Sequence, residues 1–378
     1  MVFGVLFLIP ISSVTVYAEQ SPGAGTNPQT AEKESPRPSV KTNTQTTEEE
    51  ILFENPPNKN KISGIFVRPA GAGPFPVVIF VHGSGNGDRN LYRPIANEFL
   101  KIGFASLLLD RPGCGKSTGD FRLELIDERL SETQAALQFI QSRNDIDKKR
   151  IGMWGISQAG EFIPQIAATG DIAFAILVSP GLNFQEDITY AASPKILARE
   201  KKFWSPILIN HFGMSESDID EAAEFATSLV QLLKKENVGY DEMLALLKER
   251  DSKPWFQKLC KTGLFKNTAS YWTPEHFKRF YDLQLHRDSS QFLAKTRCPI
   301  LVILGADDIM IDPVVNARRC AEAAFKAGAE TITVKTFPDA SHGITVPNGT
   351  PGGAYAAGYL DLMCSWLKKH CPEVRQMH

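Results

Sequence analysis

Three side chains able to break an acyl bond occur in a workable order along this chain. Ser157 lies in Gly155-Ile156-Ser157-Gln158-Ala159-Gly160, after an apolar run ending at Trp154 and before a helical stretch. That context predicts a sharp strand-to-helix turn. The turn strains the serine backbone and brings it close to its neighbours, so small residues are needed two places before and after, here Gly155 and Ala159. The following helix is expected to aim its first N–H groups at developing negative charge. A serine hydroxyl attacks only when a base takes its proton. Of the seven histidines, His82 and His342 fall at strand ends, His211, His276 and His286 in a long insertion, and His370 and His378 near the C-terminus. His342, in Pro338-Asp339-Ala340-Ser341-His342-Gly343, follows the last strand-like run. Two carboxylates, Asp307 and Asp308, follow the run before it. Serine, acid and histidine, each past a successive strand, suit acyl transfer.

The tetrahedral intermediate of that reaction needs donors for its oxyanion. The loop His82-Gly83-Ser84-Gly85-Asn86-Gly87 has glycines that let backbone amides point inward. The amides of Ser84 and Gln158 are the expected pair, with His82 holding the loop. A second glycine-rich stretch, Asp110 to Gly119 (DRPGCGKSTG), superficially looks like a phosphate-binding loop. It has Asp110 where that motif needs glycine, and Gly119-Asp120 breaks the helix that should follow Lys116-Ser117. It reads as a turn beside the site.

These residues need a scaffold, and the chain alternates short apolar runs with helical ones, the pattern of a mostly parallel sheet covered on both faces. Strands are expected over Lys61 to Arg68 (half-exposed), Val77 to Val81, Phe104 to Leu109, Arg150 to Gly155, Ala173 to Val178, Pro299 to Leu304 and Thr331 to Phe337. Helices are expected over Leu91 to Ile102 and Ile126 to Ser142. Between residues 182 and 295 the rhythm breaks into helical segments, among them Ile219 to Lys235 and Asp241 to Arg250. An insertion between strands of such a sheet belongs over the strand ends, as a cap. Thr273-Pro274 reads as an N-cap and first-turn proline, which leaves Tyr271 and Trp272 in a loop, where Trp272 is expected either to line an acyl pocket or to anchor the cap.

The domain reading is therefore an export signal over 1–18, a disordered linker over 19–50, a first core part over 51–181, the cap over 182–295 and a second core part over 296–378. An apolar run from Val2 ends in Val16-Tyr17-Ala18, which suits signal cleavage and a secreted or periplasmic protein; an uncleaved anchor is the alternative. Residues 19–50 are poor in bulky apolar side chains and too polar to bury a core. With 41 Lys and Arg against 43 Asp and Glu, the charge gives no footing for nucleic acid or an anionic membrane. Six cysteines without CxxC spacing give no zinc or redox motif and read as free buried thiols.

Beyond the triad and the His82-Gly83-Ser84-Gly85 and Asp88-Arg89 motifs, the stretches Ala96 to Leu100, Gly103-Phe104-Ala105, Asp110, Gly113, Gly115 to Phe121, Ile146-Asp147 and Arg150-Ile151-Gly152 also fit one pattern. The chain resembles secreted bacterial α/β-hydrolase esterases of the prolyl-oligopeptidase-like (dienelactone hydrolase-like) branch over roughly residues 60 to 370, the cap excepted. The resemblance implies an α/β-hydrolase fold and hydrolysis of small-molecule carboxylic esters without metal or organic cofactor. It also implies that the acid is Asp308, three residues past the strand-end Gly305. Ile156 and Gln158-Ala159-Gly160 depart from the family's His before the serine and Glu-Gly-Gly after it, and Pro112 stands where the family has Arg, with a basic residue at Arg111 instead. A serine peptidase on the same triad is the nearest rival, and a non-catalytic binding module of the same fold is the other.

Overall fold

The computed structural model describes residues 41–43, 46–261, 272–327, 332–347 and 353–371. The expected export signal, most of the linker, and Tyr271 lie outside these residues. Strands β1 (Lys41–Asn43), β2 (Thr46–Glu54), β3 (Lys61–Pro69) and β4 (Phe75–Val81) lead into helix α1 (Arg93–Lys101) and strand β5 (Ala105–Leu109). Next come α2 (Ile126–Ser142), β6 (Ile146–Ile156), α3 (Ile163–Thr169) and β7 (Phe174–Val178). The sheet order is β1-β2-β3-β5-β4-β6-β7, continued by β8 (Ile300–Gly305) and β9 (Ile332–Phe337). From β5 to β9 all pairs are parallel, while β1, β2 and β3 join antiparallel.

The unbroken apolar run of β4 follows from its central place, because a parallel strand covered on both faces has no solvent side. Alternate side chains go to opposite layers. Val77, Ile79 and Val81 pack with residues of α2 and α3 and with Cys320 and Ala323 of a later helix, α11 below. Val78 and Phe80 pack with Ile95 and Phe99 of α1 and with Tyr359, Met363 and Trp366, which belong to the last helix.

The insertion is helical throughout its described part: α4 (Phe184–Ala191), α5 (Pro194–Phe212), α6 (Glu216–Leu233), α7 (Tyr240–Ser252), α8 (Pro254–Cys260), α9 (Pro274–Phe280) and the single turn α10 (Ser290–Leu293). Thr273 caps α9 as expected, its side chain accepting from the His276 amide at 3.1 Å. The insertion builds its own core around Trp204, Phe225, Leu229, Trp255 and Phe280, which also takes in Leu125 at the start of α2. Helix α11 (Pro313–Ala327) follows β8, and a short pair, β10 (Thr345–Val346) with β11 (Ala354–Tyr355), precedes α12 (Tyr359–His370). No described helix is long and apolar enough to cross a membrane. The six cysteines are unlinked.

Two expectations are corrected. The linker does not run to residue 50: Lys41–Asn43 and Thr46–Glu50 are strand, paired onto β3. The stretch is polar because it is a partly exposed edge held by charge. Glu48 pairs with Arg93, Glu49 with Arg143, and Glu50 with Lys116. In turn, β3 is buried from Ile62 to Val67 instead of half-exposed, with Phe66 packed on one sheet face and Ile65 and Val67 on the other.

Candidate active site

Ser157 directly follows β6 with φ of +57°, a left-handed backbone that costs a side-chain-bearing residue about 1–3 kcal/mol. The turn is tight. A Cβ on Gly155 would lie 2.6 Å from the Ala159 methyl and would collide with Ile163, so both small positions are required. The helix expected directly after the serine is instead a 3₁₀ turn, Ser157–Glu161, with α3 starting only at Ile163. The anion-stabilising role expected of a full helix N-terminus at the serine therefore falls away. The Gly181 amide donates to the Ser157 carbonyl at 2.8 Å, tying the elbow to the loop after β7.

Past β8 the two carboxylates separate. Asp308 is 1% exposed and its Oδ2 meets His342 Nδ1 at 2.8 Å. A carboxylate only accepts, so Nδ1 carries a proton, and the neutral tautomer with that proton has its lone pair on Nε2, as a general base requires. The other oxygen, Oδ1, accepts from the amides of Met310 (2.7 Å) and Ile311 (3.0 Å). Tyr190 on α4 donates to the Asp308 carbonyl at 2.8 Å. Asp307 points away, half in solvent, and pairs with Arg199 of α5 at 2.9 Å. Asp312 opens α11 by accepting from Val314 and Val315. Among the described residues no hydrogen bond joins the Ser157 hydroxyl to His342; such contacts commonly close only around substrate.

The loop after β4 lies directly against the serine, and a Cβ on Gly83 would come 3.1 Å from that of Ser157. His82 is buried with Nε2 donating to the Leu109 carbonyl at 2.7 Å. Burial pushes its pKa down to about 3, so it stays neutral and holds the loop. Two buried arginines grip the loop's carbonyls. Arg129 Nη2 donates to His82 O at 2.6 Å, and its Nη1 to Gly83 O at 3.0 Å and to Gln158 Oε1 at 3.2 Å. Arg111 Nη1 donates to Gly83 O at 3.2 Å and to Gly85 O, while Nη2 pairs with Glu124 at 2.7 Å. A cavity of about 30 Å³, lined by His82, Arg111, Arg129 and Glu132 among others, lies behind this loop.

Neither arginine was anticipated as part of the site. A signal for Arg129 was present: Ile126, Arg129, Thr133, Ala136, Leu137 and Ile140 make the buried stripe of α2, so a cation occupies a core position of an amphipathic helix. Glu161 and Asp187, also unanticipated, are buried carboxyls beside Gly181. Burial raises Glu161 to about 8, and burial together with the charge of Glu161 holds Asp187 well above the carboxylate range.

Two other sequence readings meet the structure here. Trp272 is 4% exposed and packs on Phe277 and Phe280 within the cap core; the pocket-lining expectation gives way to an anchoring one. In the glycine-rich stretch after β5, the Asp110 carboxylate accepts from Arg89 and from the Lys116 amide, and a Cβ on Gly115 would strike it. The turn closes on this internal carboxylate.

The fold and this strand-end cluster define a hydrolase-type scaffold, and comparison with known sequences agrees. The family described as alpha/beta hydrolase fold matches residues 76–346, and the chain belongs to it. An uncharacterised 31.7 kDa protein of Escherichia coli is 25% identical over 310 residues, covering 80% of this chain and 93% of its own length. Esterase EstD of Thermotoga maritima is 21% identical over 313 residues, 80% of this chain and 63% of that protein. Among solved structures, an acetyl xylan esterase from Paenibacillus sp. R4 superposes with a TM-score of 0.51 at 16% identity over 88% of each chain, a likeness of fold.

Proposed function

We propose that this chain is a serine esterase that hydrolyses small-molecule carboxylic esters through an acyl-enzyme. Ser157 attacks the ester carbonyl as His342 Nε2 takes its proton, and Asp308 holds the imidazole tautomer and stabilises the imidazolium. The amides of Ser84 and Gln158 receive the oxyanion, His342 returns the proton to the leaving alcohol, and water repeats the cycle. The observation that carries this reading is the His342 Nδ1 to Asp308 Oδ2 hydrogen bond of 2.8 Å, with the acid buried and the serine on a strained elbow two strands away. Relatives named as esterases support the ester over the amide. Export to the periplasm or medium is part of the reading and rests on residues 1–18.

The test is a panel of chromogenic esters of graded acyl length run beside aminoacyl anilides, with Ser157→Ala as control. Ester turnover should fall by roughly 10⁴ or more in the variant, and a fluorophosphonate probe should label the parent alone. Labelling that survives in Ser157→Ala would overturn the assignment, and preferential cleavage of anilides would make the chain a peptidase.

A further inference from the structure

An oxyanion donor is only as good as the orientation of its peptide plane. In a trans peptide the C=O and N–H point in opposite directions, so whatever holds the Gly83 carbonyl also aims the Ser84 N–H. Gly83 O accepts from two guanidinium groups, Arg111 at 3.2 Å and Arg129 at 3.0 Å. Glycine at 83, one of the two hinges of this peptide, eases the flipped arrangement, and that flip would present a carbonyl oxygen to the developing oxyanion. The arginines oppose it: with His82 O and Gly85 O also tied, each of these carbonyls is drawn to the buried, cationic side. Cationic donors on a carbonyl also polarise its peptide and strengthen the N–H opposite. Arg129 goes further, because its Nη1 reaches Gln158 Oε1 at 3.2 Å, on the residue that supplies the second amide. One guanidinium, 3% exposed and laid 5.3 Å over the Phe162 ring, spans both halves of the hole. Nearby, Glu124 neutralises Arg111 at 2.7 Å.

We infer that Arg129, seconded by Arg111, is a positioning residue that preorganises the oxyanion hole by fixing the Gly83–Ser84 peptide and Gln158 as a unit. The inference rests on the esterase reading above. A residue acting this way stabilises the transition state and leaves ground-state binding alone, which separates it from one that only supports the fold.

The experiment compares Arg129→Gln and Arg129→Lys with the parent for kcat and KM on the best ester, for inhibition by an alkyl trifluoromethyl ketone, whose serine adduct places an oxyanion in the hole, and for Tm. Arg129→Gln should lose kcat by about 10² while KM stays within about threefold. Ketone affinity should weaken in step with kcat. Lysine cannot fork between three acceptors, so Arg129→Lys should be intermediate. It also serves if the glutamine variant does not fold. A kcat within twofold of the parent in either folded variant, or a loss confined to KM, would overturn the inference while leaving the esterase reading intact. A parent that neither turns over esters nor takes the fluorophosphonate label would remove the reading and the inference together.

Discussion

Asp307 and Asp308 are chemically identical neighbours, and their surroundings alone divide them. One is half in water against Arg199; the other is buried, holding His342 and two backbone amides. Asp308→Asn should therefore lower kcat by about 10⁴, since an amide at that place favours the wrong imidazole tautomer. Asp307→Asn should stay within a few-fold, because an exposed ion pair is worth little. Steady-state kinetics of the two variants decides the matter, and the reverse pattern would exchange the roles. Ser157, His342 and the Asp307-Asp308 pair could be picked out as candidates because an elbow leaves a signature in its small flanking residues and because strand ends can be located from apolar runs; the choice of Asp308 over Asp307 came from the family resemblance alone. Arg129 was not read as part of the site, since a charged residue on a helix suggests solvent until the helix's own stripe is traced.

Strands buried on both faces declared themselves by composition, which is why β4, β5, β7 and β8 fell close to expectation. Strand β2 did not. Its Thr-Thr-Glu-Glu-Glu start carries no apolar period, and its pairing depends on Arg93, Arg143 and Lys116, which are distant in sequence. In the cap the periodicity located helices, yet it could not say which aromatics face inward. Trp272 packs on Phe277 and Phe280, and Tyr240 donates to its carbonyl at 2.8 Å. Trp272→Ala should destabilise the protein by about 3–5 kcal/mol through the cavity it leaves. Its effect on ester turnover should be the same at every acyl length. Thermal melts together with an acyl-length profile test this, and a shifted length preference at unchanged Tm would return Trp272 to the pocket.

Among the described residues there are three cores, one on each face of the sheet and one inside the cap, and the cap is fastened to the rest at several points. Arg279 pairs with Asp127 and Glu128, Arg287 donates to the Glu161 carbonyl at 2.7 Å, and Tyr190 and Arg199 reach the acid loop. Beneath this junction lie Glu161 and Asp187. Native Glu161 keeps its proton up to about pH 8, while the unfolded chain releases it near 4.5. The unfolded state then binds fewer protons across that window, so stability is fully present below pH 4.5 and falls as pH rises toward 8. Glu161→Gln should remove that part of the decline, matching the parent near pH 4.5 and exceeding it near pH 8. Urea denaturation at the two pH values measures this, and an unchanged slope with pH would show that Glu161 ionises freely in the native fold.

The left-handed backbone at Ser157 has a consequence for descent. Glycine, or asparagine to a lesser degree, accepts that conformation more easily than serine. Each substitution would relieve some of the strain the elbow holds. Mutation at this one position therefore runs downhill in energy and uphill in function. In any descendant released from turning over substrate, codon 157 should be among the first in the site to drift.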